Sequence, residues 1–239
     1  MKMYKKVMAA ALAGVMTVSM SATAFAADDD GYILKATNED SKSSDNDLVI
    51  AIEGSVSSMD PANIPDTNAI SATRGVYETL VSFDENQELT GKLAESWEVS
   101  DDSLTYTFKL RQGVKFQDGT DFNAAAVKAN YDRVVNKDNN LRQRRTFIVT
   151  NEDGSETPRV DSIETPDDYT LVIKLTQAWA PFINRLTQFC IISPAALEEY
   201  GNDIMNHPCG TGPYVCTEWE EGDHTSFKRN DDYLSLIHI

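Results

Sequence analysis

The chain has 239 residues, of which 41% are hydrophobic, with 21 basic and 38 acidic side chains and a formal net charge of −17. That length holds one large domain or two small ones, and the apolar content supports a packed core. The acidic excess excludes nucleic acid as a partner, because phosphate binding needs clustered cations, and acidity by itself names no ligand.

The first 26 residues read as a secretory signal. Lys2, Lys5 and Lys6 form a charged start, and Val7–Met20 is an apolar run too short for a comfortable membrane span. Ala24-Phe25-Ala26 then offers a small-x-small cleavage site. An uncleaved anchor is the competing reading, and the flanks fit cleavage after Ala26 better. Loss of the three lysines would leave 18 basic against 38 acidic side chains, a net −20. No cysteine follows the apolar run, so a lipid anchor is not supported. Residues 27–47 are polar and acidic and read as a flexible leader.

Leu48–Ile52 is a continuous apolar run of strand length, as expected for a strand covered on both faces of a parallel sheet. It runs into Glu53-Gly54-Ser55-Val56-Ser57-Ser58-Met59-Asp60-Pro61. Read physically, this is a strand-exit turn; loops in that position also bind ligands in open α/β sheets. Residues 68–81 predict a helix with Ile70, Arg74, Tyr77 and Val81 on one face, and Glu78 reads as a structural or solvent-facing carboxylate rather than a general acid.

Residues 97–110 predict a β-hairpin. Ser100-Asp101-Asp102-Ser103 is the turn, and Leu104, Tyr106, Phe108 and Leu110 alternate with polar residues. Gln117-Asp118-Gly119 is a second turn, and Asn123 can cap a helix carrying Val127, Tyr131, Val134 and Val135 on one face. Arg142, Arg144 and Arg145 form the one basic cluster of the mature chain. They read either as charges offsetting a helix end or as a carboxylate clamp, which suits the planar arginine fork.

Residues 151–167 are turn-rich, and residues 169–176 alternate as a strand. Trp179-Ala180-Pro181-Phe182 begins a short helix, and Ser193-Pro194 caps another that stops at Gly201. His207–Tyr214 is a turn leading into a strand from Val215 to Trp219, a turn at Gly222-Asp223, and a further segment from Thr225 to Asn230. Gly210-Thr211-Gly212-Pro213-Tyr214 lacks the lysine and the helix of a phosphate loop.

Cys190, Cys209 and Cys216 are an odd set in an exported chain, where a disulfide is allowed and at least one thiol is left over. His207, Cys209 and Cys216 lack the paired spacing of a zinc site, and packed small residues explain them better. A Cys–His nucleophile has no indicated orienting partner, and no G-x-S-x-G motif is present. No catalytic residue, metal or cofactor is assigned.

Leu93–Val99, Asp101–Arg111, Gly113–Gly119 and Phe122–Val127 together resemble a long block of the extracytoplasmic solute-binding proteins of ABC transporters, in the family that binds peptides, glutathione and nickel complexes. This copy has Gln117 where His is common, Ser103 where Gly is common and Ala126 where an acidic residue is common. Tyr77–Val81, Ile192–Gly201, His207–Tyr214 (with Cys209 in place of Val) and Arg229–Tyr233 continue the likeness.

The resemblance implies an α/β fold of the periplasmic-binding-protein type, two-lobed when complete. Here it is mainly the N-terminal lobe with its extra subdomain: 48–60 and 205–234 in the main sheet of lobe I, and 61–204 as an inserted subdomain. Family members continue well beyond the point where the likeness stops after Tyr233, so a truncated chain with non-native last residues, 234–239, is expected. Weak or no ligand binding by this chain and an exposed apolar surface are expected with it. The resemblance also places the stretch before Met59-Asp60-Pro61-Ala62 in the ligand cleft, giving Gly54, Ser55, Val56, Ser57 and Met59 as ligand-binding residues. Arg142–Phe147 resembles an arginine segment of the nickel-binding branch, with Arg144 the candidate clamp and Arg145 the alternate. The implied role is capture of a short peptide or glutathione by a periplasmic or extracellular monomer that docks on an ABC permease and does no chemistry. A nickel or other metal chelate is the alternative ligand, and an extracellular hydrolase the rival of a different class.

Overall fold

The computed structural model describes residues 49–233. The signal, the leader and Leu48 therefore lie outside the described residues, as do residues 234–239. The body described below begins at Ile52.

Over the described part of the expected 48–52 strand, residues 49–52, no strand forms. Residues 49–52 have no regular structure, and Val49 and Ile50 are 91% and 67% exposed. A buried parallel strand needs neighbours on both edges, and no strand among the described residues pairs with this segment. Every strand pair described is antiparallel.

After a 3-10 turn at Pro61–Asn63, helix α1 spans Thr67–Thr73. Asp66 caps it by accepting from the Ala69 amide at 2.8 Å. The predicted helix ran on to Val81, but α1 stops at Thr73. The reason is tertiary. Val76, Tyr77, Leu80 and Val81 are all buried, so the segment is covered on every side rather than along one stripe. The carbonyls of Gly75 and Val76, which a continuing helix would consume, accept from the Tyr214 and Gly212 amides at 2.9 Å each. Gly210 and Gly212 are required by that approach, since a Cβ on either would lie within 2.2–2.6 Å of the Val76 or Gly75 carbonyl oxygen.

Strands β1 (Val81–Phe83) and β2 (Leu89–Gly91) form a small hairpin. Strands β3 (Ala94–Val99) and β4 (Thr105–Leu110) make the predicted hairpin, with Trp97 opposite Phe108. Helix α2 (Ala124–Val135) starts on the Asn123 cap as expected. Next come α3 (Arg144–Phe147), β5 (Ile148–Thr150), β6 (Glu156–Pro158), β7 (Val160–Asp167) and β8 (Thr170–Leu175). The main sheet has the order β3-β4-β8-β7. Sequence alone gave only turns for 151–167, yet β6 and β7 lie there. β7 is an edge strand, and its irregular pairing between Glu164 and Asp167 tolerates Pro166 and a polar composition that a central strand would not.

Tyr106, Phe108 and Leu110 of β4 and Leu171, Ile173 and Leu175 of β8 are buried. Helix α4 (Phe182–Arg185) sets Phe182 edge-on to Tyr106 at 4.8 Å. Tyr131 of α2, Phe147 of α3 and Phe189 form a second aromatic row with 5.2 Å spacings. Asn130 of α2 is buried and acts as a backbone surrogate: its Nδ2 donates to the Ile192 carbonyl and its Oδ1 accepts from the Ile192 amide. Helix α5 (Pro194–Tyr200) has the predicted Ser193 cap and stops at Gly201, whose φ is +54°. β9 (Tyr214–Glu220) and β10 (His224–Arg229) form the last hairpin. No helix among the described residues is long and apolar enough to cross a membrane.

Candidate functional site

The loop from Glu53 to Asp60 has no ladder to hold it, so side chains from other elements do so. Asn68 on α1 donates to the Glu53 carbonyl at 2.7 Å. The Trp219 indole Nε1–H on β9 donates to the Val56 carbonyl at 2.9 Å. The Tyr77 hydroxyl donates to the Met59 carbonyl at 3.1 Å. Burial, then the nearby Asp60 charge, pushes the Tyr77 phenol well above its ordinary range, so it remains a donor. The Ser57 hydroxyl bonds the Asp66 carboxylate; that bond, then the Ala69 amide, lowers the Asp66 pKa.

Asp60 closes the loop. Its carboxylate caps the 3-10 turn through the Ala62 amide and takes a two-pronged contact from Arg133 of α2, at 2.6 and 3.2 Å. The two side chains are 11% and 8% exposed, which makes this a largely desolvated pair. The Gln143 amide donates to the Ala62 carbonyl at 3.0 Å, which brings the arginine segment beside the loop exit.

Of the five candidate loop residues, Gly54 and Ser55 are exposed and Ser57 is half-buried, while Val56 and Met59 turn their side chains into the core. Gly54 has φ +94°, and a Cβ there would sit 2.9 Å from Asn68 Nδ2. Among the described residues, no backbone N–H from Gly54 to Met59 has a hydrogen-bond partner. Arg144 is committed elsewhere: both prongs bind Glu156 at 2.7 and 2.8 Å, and its Nε donates to the Val135 carbonyl. Arg145 is exposed and makes no ion pair among the described residues.

A second polar cluster escaped the sequence reading. Gln117 Nε2 donates to the carbonyls of Val76, Gly212 and Tyr214, and its Oε1 accepts from the Gly210 amide. Buried Glu78 accepts from Thr211 and Tyr233 and pairs with Lys92 at 3.2 Å. Burial works against the Lys92 charge, but Glu78 and Tyr233 outweigh it and raise the pKa. Both clusters tie the return segment 210–214 to residues 75–78. The only advance signals were the glycines and the unusual Gln117.

Among the described residues, His207, Cys209 and Cys216 each lie against different neighbours. All three cysteines are free thiols. Burial pushes Cys190 and Cys209 up to about 12, which keeps both protonated at neutral pH. Cys209 is buried near Asp118 and Ser193, Cys216 faces the Glu218 carbonyl, and His207 stacks on Tyr200 at 3.9 Å. At the tip of the last hairpin, Glu220, Asp223 and His224 gather within 4.8 Å, all exposed. His224 is held there by Asp223 at 2.8 Å and Glu218 at 3.3 Å, contacts that raise its pKa, so a proton competes with a cation for the ring.

The family described as bacterial extracellular solute-binding proteins, family 5 (middle region), matches residues 88–236. The chain is 38% identical over 222 residues to the glutathione-binding protein GsiB of Shigella dysenteriae, covering 92% of this chain and 38% of that relative. Among solved structures, it is similar to the periplasmic binding protein DppA of Helicobacter pylori in complex with the peptide STSA, with 31% identity, TM-score 0.60, and coverage of 74% of this chain and 38% of that one. It is also similar to NikZ of Campylobacter jejuni in complex with Ni(L-His), with 28% identity, TM-score 0.66, and coverage of 77% and 35%. The chain thus spans under two fifths of the length of each of these three proteins.

Proposed function

This chain belongs to the bacterial extracellular solute-binding proteins of family 5, and from that premise we propose that it is part of the substrate-capturing component of an ABC importer, specific for a short peptide or glutathione. The observation that carries this reading is the loop Gly54–Met59. The carbonyls of Glu53, just before it, and of Val56 and Met59 within it are tied down by donors from elsewhere, while its N–H groups lack partners among the described residues. Such an edge suits the carbonyl and carboxylate oxygens of a peptide or of glutathione, and its pre-set geometry limits the ordering cost of binding. The likeness to the Shigella glutathione-binding protein supports that ligand class.

In this reading residues 48–60 and 205–234 would join the main sheet of one lobe in the longer protein, a sheet distinct from β3-β4-β8-β7, with 61–204 inserted as a subdomain. The ligand is released unchanged to a membrane permease, and the protein works as an exported monomer, periplasmic or extracellular. Ligand contact with two lobes would favour the closed state over the open one.

A metal chelate is the second reading. It draws on the likeness to the nickel–histidine complex and on Arg145, exposed in the segment that touches the loop exit at Ala62. Arg144 would have to leave Glu156 to serve in that role.

A thermal-shift screen separates these ligands. It covers glutathione, di- to pentapeptides, and nickel with and without histidine, on this chain and on a chimera joining it to the C-terminal part of the Shigella relative. Saturation at about a hundred times Kd stabilises by roughly 2.7 kcal/mol. A shift with glutathione or peptides supports the first reading. A shift only with nickel plus histidine replaces it with the second, and no shift in the chimera removes both.

A further inference from the structure

We infer that Trp219 is a positioning residue of the ligand loop: through the Val56 carbonyl, it fixes the direction in which the Ser57 N–H is offered to a ligand oxygen. This rests on the loop reading above and names the residue that sets the loop's geometry. The peptide bonds are trans, so each carbonyl oxygen and the N–H that follows it point in opposite directions across one rigid plane. Fixing the oxygen therefore fixes the N–H. The Trp219 indole, 2.9 Å from the Val56 oxygen, sets the plane that carries the Ser57 N–H. Asn68 sets the Gly54 plane in the same way.

Trp219 is suited to this task because its own place is determined elsewhere. It sits on β9 opposite Thr225 of β10. That hairpin is docked at its base through the Tyr214 and Gly212 amides on Gly75 and Val76, the Asn230 side chain on the Gly212 carbonyl, and Gln117 on the Tyr214 carbonyl. The loop and the hairpin are 163 residues apart in sequence, and the indole bond joins them directly. An indole donates and cannot accept, so the contact can only sequester a carbonyl. Val56 itself is buried, and its oxygen has no other protein donor among the described residues.

The test compares Trp219→Phe with Trp179→Phe in the 239-residue chain. Each loses an indole and keeps an aromatic ring, and Trp179 packs on Phe182 and Arg159. The readouts are the Ser57 amide 15N shift and the affinity for glutathione. In Trp219→Phe the Ser57 resonance moves and glutathione binding weakens about 5-fold, the scale of one neutral hydrogen bond. Trp179→Phe changes neither. An unmoved Ser57 resonance, or a moved one with unchanged affinity, overturns the inference. If Trp219→Phe does not fold, the unsubstituted protein still decides: a Trp219 indole proton exchanging as fast as that of a free indole overturns it, and a protected one supports it. Should the unsubstituted chain bind neither glutathione nor dipeptides, the ligand reading falls. The Ser57 shift then decides the positioning claim alone.

Discussion

The four-stranded sheet and the Glu53–Asp60 loop both hold a backbone in one shape, by opposite means. The sheet does so with ladder bonds and with the buried faces of β4 and β8, so each residue depends mostly on neighbours in the same pattern. The loop has no ladder. Its shape comes from Asn68, Arg133 and Trp219, single side chains on α1, α2 and β9, and from Tyr77 in the segment between α1 and β1. A distributed support tolerates small errors anywhere, whereas a few point contacts set a precise geometry and lose it with one substitution.

Substitutions should separate the two supports. The largest effect is expected in the sheet: Phe108→Ala, at a fully buried ring, costs about 4 kcal/mol in chemical denaturation, with the loss spread across the sheet. Arg133→Ala leaves Asp60 buried without its partner and costs about 3 kcal/mol. Its structural effect should concentrate at residues 54–62, read as amide shifts; shifts spread over the sheet instead would erase the distinction drawn above. Gln117→Ala removes four hydrogen bonds between the return segment and its surroundings and costs about 2 kcal/mol, visible as increased amide exchange at Gly210–Tyr214.

The smallest effect belongs to the hairpin tip. Asp223 and Glu218 raise the His224 pKa above 6.5. A raised folded-state pKa gives stability that is fully present below 6.5 and is lost as pH rises above 6.5 through the folded-state pKa. The tip should therefore loosen slightly in mildly alkaline solution, and His224→Gln should remove that dependence.

The same contrast explains what could be read in advance. The β3–β4 hairpin, the Asn123-capped α2, the β8 strand and the Ser193–Gly201 helix follow from periodicity and capping residues, which are local signals. The α1 end at Thr73 did not follow, because Gly212 and Tyr214, 136 and 139 residues further along the chain, claim the Val76 and Gly75 carbonyls. β7 was hidden by Pro166 and a polar edge. The loop was named through resemblance, but its supports were not, since no local pattern marks Trp219 as a partner of Val56 or Arg133 as a partner of Asp60. Arg144 drew notice for its charge, and its pairing with Glu156 across twelve positions was equally invisible. Exposed Val49 and Ile50 show the limit of an apolar run as a strand signal when no neighbouring strand is described.

The most direct measurement is a titration of glutathione into the isotope-labelled chain, followed at the backbone amides of Gly54–Met59. The account predicts saturable shifts centred on Gly54 and Ser57, with the sheet amides of β4 and β8 unmoved. Shifts confined to the Arg142–Phe147 segment, or none in the loop at millimolar glutathione, would contradict it.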